Sequence, residues 1–232
     1  MHLKEHIKLS ASAERALISQ RFFKTGKGEY GEGDVFIGLT VPQCREIAEK
    51  FLHLSLDEIK EHLASAVHEE RLIAIMILVA KYNKEIKDRK KIFAFYLGNL
   101  QYVNNWDLVD SSADKIVGRF LFEEKADKKI LSELADSQII WERRVAIVST
   151  FYFIKQKEFV LTFKMCELLM KDKHDLIHKA CGWMLREVGK KDEKVLKVFL
   201  KRHYMKMPRT MLRYSIERFP EKERKRYLEG TI

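Results

Sequence analysis

Proline and glycine are scarce, 3 and 10 among 232 residues. That excludes a turn-rich all-β sandwich and favours helices. Cysteine is scarcer in effect: Cys44, Cys166 and Cys181 are too few and too scattered for a disulfide framework. A reducing cytoplasm is therefore the expected setting. The longest apolar run, Leu72 to Ala80, is far too short to cross a bilayer. The opening Met1-His2-Leu3-Lys4-Glu5-His6 lacks an apolar signal core. A soluble protein without a membrane partner is expected.

Catalytic signatures are missing too. Gly26-Lys27-Gly28 lacks the spacing of a phosphate loop, and Gly28, Gly31 and Gly33 do not follow the dinucleotide pattern. The eight His residues form no HExxH pair and the cysteines form no CxxC. No metal and no cofactor are expected. His178 and Cys181 stand three apart on one helix, a pattern better explained by packing beside a buried thiol than by ligation or nucleophilic catalysis. No GxSxG elbow occurs. If the chain is an enzyme, its chemistry must need few groups.

What is abundant is positive charge. Lys and Arg number 44 against 34 Asp and Glu, an excess of +10. Such an excess points to partners such as nucleic acid, an anionic surface or acidic proteins, not to a fold. Apolar residues recur at three- and four-residue spacing along nearly the whole chain, which predicts helices. Ala13 to Phe23 reads as the first. An irregular glycine-rich loop over 24–34 follows, with no role that the residues reveal. Capping boxes at Thr40–Gln43 and Ser55–Glu58 open helices running to about Phe51 and Val67. Further helices are expected over 69–82, 85–98, 105–121, 127–136, 139–156, 158–171, 174–190, 192–205 and 208–218.

Trp106, Trp141 and Trp183 lie 35 and 42 residues apart, each early or midway in a helix and each with charge beside it. Periods of about 40 belong to two-helix solenoid repeats of the HEAT and armadillo type. The expectation is a single HEAT-like repeat domain over 1–232. It would be an all-α, right-handed α-solenoid of antiparallel helix pairs, with a concave basic face for an extended partner.

One constellation stands out in Asn104-Asn105-Trp106-Asp107-Leu108-Val109-Asp110-Ser111. Trp106 and Asp110, four apart, fall about 40° apart around a helix and one turn along it. An indole face and a carboxylate are thus presented together within a basic chain. Such a site can grip a polyanion yet stabilise a developing positive charge.

Three ordered segments carry a resemblance: Trp106-Asp107-Leu108-Val109-Asp110, Trp141-Glu142-Arg143-Arg144-Val145-Ala146-Ile147, and Lys179 through Glu187 with its Gly182-Trp183-Met184-Leu185-Arg186 core. With Phe36 to Pro42 upstream, they resemble the AlkD-like DNA glycosylases, all-helical HEAT-like proteins that excise N3- and N7-alkylated purines from DNA. The resemblance implies Asp110 beside the scissile glycosidic bond, with Trp106 and Trp183 flanking the lesion's deoxyribose and backbone. It implies Arg144 as a DNA-binding arginine and Arg186 as a second phosphate contact, with Arg143 adjacent. Phe22 falls where the family has a tyrosine, which removes a hydroxyl contact. The implied partner is double-stranded DNA with alkylated bases, bound by a monomer.

An alkylated purine is already cationic and leaves readily, so little general-acid help is needed. The sugar becomes oxocarbenium-like, and a fixed carboxylate with water-excluding indoles suits that charge. Each residue also has an ordinary reading. A helical Trp is commonly core, a first-turn Asp commonly a dipole partner, and Arg143-Arg144 surface charge or a partner of Glu142. Lys222 to Arg226 reads as a solvated helix face. Two rival functions stay open: a non-catalytic HEAT-like module for branched or distorted DNA, and a protein scaffold that binds no nucleic acid.

Overall fold

A computed structural model of the chain describes residues 2–232. The apolar periodicity folds as helices throughout. Among the described residues there is no β-strand, and extended pairing is confined to an isolated bridge between Val35 and Val67. The chain divides into two compact units, Met1–Ser112 and Ala113–Ile232. No helix among the described residues is long and apolar enough to cross a membrane.

The first unit holds α1 (Leu3–Leu9), α2 (Ala13–Phe22), α3 (Val41–Lys50), α4 (Leu56–Leu63), α5 (His68–Lys84), α6 (Arg89–Leu97) and α7, which runs from Trp106 to Ala113. Both capping boxes form: Thr40 and Gln43 exchange side-chain-to-backbone bonds at the start of α3, as do Ser55 and Glu58 at α4. α1 was not expected, since only Leu3 and Ile7 carry its apolar face, and both are buried. α4 stops at Leu63, short of the expected Val67. The backbone there is needed in extended form: Val35 N–H donates to Ala66 O (3.2 Å) and His68 N–H to Val35 O (2.8 Å).

α5 is the central helix of this unit, with α3, α4 and α6 packed on it. Leu72, Ile73, Ala74, Ile75, Ile77 and Leu78 are all buried. More telling is its first turn, His68-Glu69-Glu70-Arg71, whose four side chains are also buried. Buried charge must be paired or hydrogen-bonded, and every one of these is. Glu69 accepts the backbone N–H groups of Ile37 (3.2 Å), Gly38 (2.8 Å) and Leu39 (3.2 Å). Glu70 meets His62 Nδ1 and Ser65 Oγ, each at 2.7 Å. Gly38, at φ 84°, lies so close to α2 that a Cβ there would sit 2.1 Å from Ser12 O. Its own carbonyl accepts from Arg15 Nε at 2.7 Å.

The second unit begins with a π-helical turn, Asp114–Gly118, inside the stretch expected as one regular helix. α8 (Arg119–Glu123), α9 (Lys129–Ala135), α10 (Ile140–Lys155), α11 (Val160–Leu169), α12 (Asp175–Lys191), α13 (Glu193–His203), α14 (Arg209–Ser215) and α15 (Glu221–Glu229) follow. α10 packs on α9, α11, α12 and the π turn, and α12 packs on α10, α13 and α14. Gly182 lets α12 and α14 approach closely, because a Cβ there would lie 2.6 Å from Met211 O. On α15 only Tyr227 is buried, so the basic stretch Lys222 to Arg226 is a helix face that the core does not use.

Candidate active site

The start of α7 is fixed by Asn105. Its Oδ1 accepts from Trp106 N–H at 2.8 Å, and its carbonyl accepts Val109 N–H at 3.2 Å, as a helix cap should. Its amide donates to Asp34 Oδ2 at 3.0 Å, which ties the cap to the end of the glycine-rich loop. That loop folds as turns, closed by Gly31 N–H donating to Lys24 O at 3.1 Å, and it delivers Asp34 to the interior. Leu108 and Val109 then enter the core. Trp106 and Asp110, one turn apart, are both left half-buried.

Trp106 is braced by the end of α2. Phe23 stacks on the indole, with ring centroids 5.2 Å apart and planes 12° apart. Phe22 meets the same indole edge-on at 5.9 Å and is itself 63% exposed. Phe36 stacks on Phe23 at 4.8 Å and on His68 at 4.5 Å. The indole therefore rests on a rigid apolar stack, with one phenyl standing out into solvent beside it.

Beneath that stack lies a buried charged cluster. His68 Nδ1 is 3.0 Å from Asp34 Oδ2, and its Nε2 is 2.8 Å from Asp107 Oδ2. Arg71 donates to Asp34 Oδ1 at 2.5 Å and to Ser65 O at 2.8 Å. Burial works to raise the Asp34 pKa, but the His68 hydrogen bond, the Arg71 charge and the Asn105 amide outweigh it and hold the carboxyl below its ordinary value. Burial likewise works against a charged His68, yet its hydrogen bonds to Asp107 and Asp34 raise its pKa.

In the second unit, Trp183 is half-buried on α12, its Nε1 donating to Glu187 Oε1 at 3.2 Å and its ring 5.7 Å from that of Phe151. Arg186, a turn-neighbour on the same helix, pairs with Glu217 and lies 3.8 Å from Glu187. Arg143 turns to Asp172 rather than to Glu142. It donates to Asp172 at 2.6 and 3.4 Å and to Ser137 O at 2.9 Å. Arg144 is 5% exposed and donates from NH1 to Leu176 O at 2.7 Å. Trp141 is core. His178 Nε2 donates to Asp172 O at 2.7 Å while Cys181 is fully buried, in keeping with packing.

Of the expected residues, then, Phe22 meets Trp106 in the first unit, where Asp110 stands one turn further along α7, and Trp183, Arg186, Arg143 and Arg144 lie on α12 and α10 of the second. Phe23, Asp34, His68, Arg71 and Asn105 were not anticipated. The available signal was a run of four charged residues opening the helix that carries the longest apolar run of the chain.

The comparisons agree with this architecture. The family model described as DNA alkylation repair enzyme matches residues 3–219. No curated protein matches the chain. Among solved structures, a predicted DNA alkylation repair enzyme from Enterococcus faecalis is similar, with a TM-score of 0.72 over 91% of this chain and 98% of that one. Its sequence identity is 18%, so it shows a shared fold. The chain belongs to the DNA alkylation repair enzyme family.

Proposed function

We propose that the chain is a DNA glycosylase hydrolysing the N-glycosidic bond of N3- or N7-alkylated purines in duplex DNA. The observation that carries this reading is the pairing on α7 of a braced indole, Trp106, with a carboxylate one turn later, Asp110. As the bond to C1′ breaks, its electron pair neutralises the cationic base, and positive charge moves to the sugar. Asp110 stabilises that charge electrostatically and orients the water whose oxygen bonds to C1′ as its released proton passes to solvent. The face of Trp106 adds a cation–π attraction of about 0.5–2 kcal/mol. Because the substrate's own charge drives departure, no strong general acid is required.

Trp183 is proposed at the lesion's sugar and backbone, and Phe22 at the DNA beside Trp106. Arg186 and Arg144 are proposed phosphate contacts, with Arg143 behind them. The protein acts as a monomer, in a reducing cytoplasm, and binds DNA with a strong salt dependence. The test is release of free N7-methylguanine from alkylated duplex by the purified protein. Asp110→Asn is expected to lower excision by about 100-fold or more while leaving DNA affinity nearly unchanged. Wild-type excision by Asp110→Asn removes that residue from the mechanism, and no release by the wild type, with tight binding to junction DNA, replaces the glycosylase with a binding module.

A further inference from the structure

His68 has a carboxylate at each ring nitrogen, Asp34 at 3.0 Å and Asp107 at 2.8 Å. A neutral imidazole has one N–H and one lone pair. It can satisfy one of these carboxylates but sets a lone pair against the other. Only the imidazolium donates to both. The rest of the surroundings are consistent with a proton held there. Arg71 NH2, on the same helix face at 3.5 Å, opposes it, but its own charge is directed to Asp34. Glu69 turns to the Ile37–Leu39 amides. On α3 the Cys44 thiol, pushed up to about 12 by burial and by Glu69 and Asp107, stays neutral. Phe23 and Phe36 cover the ring. With His68 charged, two carboxylates, Asp34 buried and Asp107 part-buried, face two buried cations; without the proton, one negative charge is left uncompensated.

The uncompensated charge would fall on α7. Asp107 follows Trp106 directly and precedes Asp110 by less than a turn, and its Oδ1 is buried with no hydrogen-bond partner in the protein. Its contact with His68 is therefore what fixes this carboxylate, and it adds a second tie to a first turn already capped by Asn105. We propose that His68, as an imidazolium clamped between Asp34 and Asp107, is a positioning residue that holds Trp106 and Asp110 in register for the reaction and releases them when it loses its proton. The inference rests on the glycosylase reading for its catalytic consequence, though not for the clamp itself.

Three measurements on the full chain test it across a range from about pH 5.5 to about pH 9.5: the His68 ring-nitrogen shifts by NMR, tryptophan fluorescence with Trp106→Phe as the control, and the pH profile of base release. His68 is expected to titrate above the ordinary value of about 6.5. The Trp106 signal and the alkaline limb of kcat are expected to follow it. Asp107→Asn keeps an acceptor for Nε2–H but removes the charge, and should move all three to lower pH by about one unit or more. His68→Gln, checked for folding by circular dichroism, should lose the alkaline limb and lower kcat about tenfold or more with DNA affinity retained, since correct placement carries effects of this size. A neutral His68 at pH 6, or an alkaline limb that ignores Asp107→Asn, overturns the proposal. If the wild type releases no base yet the ring and Trp106 titrate together, the glycosylase reading falls and the clamp stands.

Discussion

Phe23 lies nearly parallel to Trp106, 5.2 Å away and tilted by 12°, while its own ring is stacked in turn on Phe36. The indole is thus held from behind by a side chain on the loop side of α2. Its position depends on residues seventy or more places away in sequence. Phe23→Ala should remove this support. A loss of about 2–3 kcal/mol is expected for an aromatic that is only partly buried. The urea midpoint gives the stability change, and a red shift in Trp106 emission shows that the indole has become wetter. Unchanged emission would mean that the indole is held by its helix alone.

Stability should depend on pH in a sense fixed by the buried cluster. His68 has a folded pKa raised above 6.5, so its contribution is full below that value and is lost as pH rises through the folded pKa. Asp34 has a folded pKa lowered below 3.8, so its contribution is present above that value and is lost as pH falls through the folded pKa. The two together give a plateau between about pH 4 and about pH 6.5, with declines on both sides. Urea titrations across pH measure it. His68→Gln should flatten the alkaline decline, and a decline that persists in that variant would have to come from another group.

Gly38 answers a different demand. It takes φ 84° with Ser12 O where a Cβ would be, and its N–H is bonded to buried Glu69. Gly38→Ala combines a left-handed backbone with a backbone clash and should cost about 3 kcal/mol or more. Chemical denaturation measures that loss, whereas a change within about 0.5 kcal/mol would show that the segment can move away from α2 freely.

The arginines should separate by experiment. Arg143 is committed to Asp172, whose side chain is 4% exposed, so Arg143→Ala strands a nearly buried carboxylate. Its main effect is expected in stability, about 2–3 kcal/mol. Arg186→Ala is expected in DNA affinity, reducing the slope of log K against log salt by about 0.9 if it neutralises one phosphate. Titrations at several salt concentrations, read beside denaturation curves, assign each residue. A larger salt effect from Arg143 than from Arg186 would reverse the assignment.

The parts of this molecule that were legible in sequence are those governed by near neighbours. The helical period, the caps at Thr40 and Ser55, and the four-residue spacing of Trp106 and Asp110 are written within single helices, and they appear where expected. α1 was missed because two apolar residues make too short a period. The π turn at Asp114–Gly118 was missed because it preserves a helical composition. The charged cluster failed to register for a deeper reason. A run of His, Glu, Glu and Arg at a helix start ordinarily faces water, and only partners distant in sequence make its burial possible. Asp34 lay at the end of a glycine-rich loop whose residues reveal no role, and nothing local to Asn105 marks its bond to Asp34.

The buried pairing of Asp34, His68, Arg71, Asn105 and Asp107 also constrains how this chain can drift. Each member answers the charge or the donors of another, so replacing His68 or Arg71 alone leaves the two carboxylates with too little positive charge beside them. Substitutions there must come in matched sets, and a lineage that loses the histidine should lose one of its two carboxylates as well. The four charged positions are therefore expected to change together, although a long stretch of chain separates the first from the last.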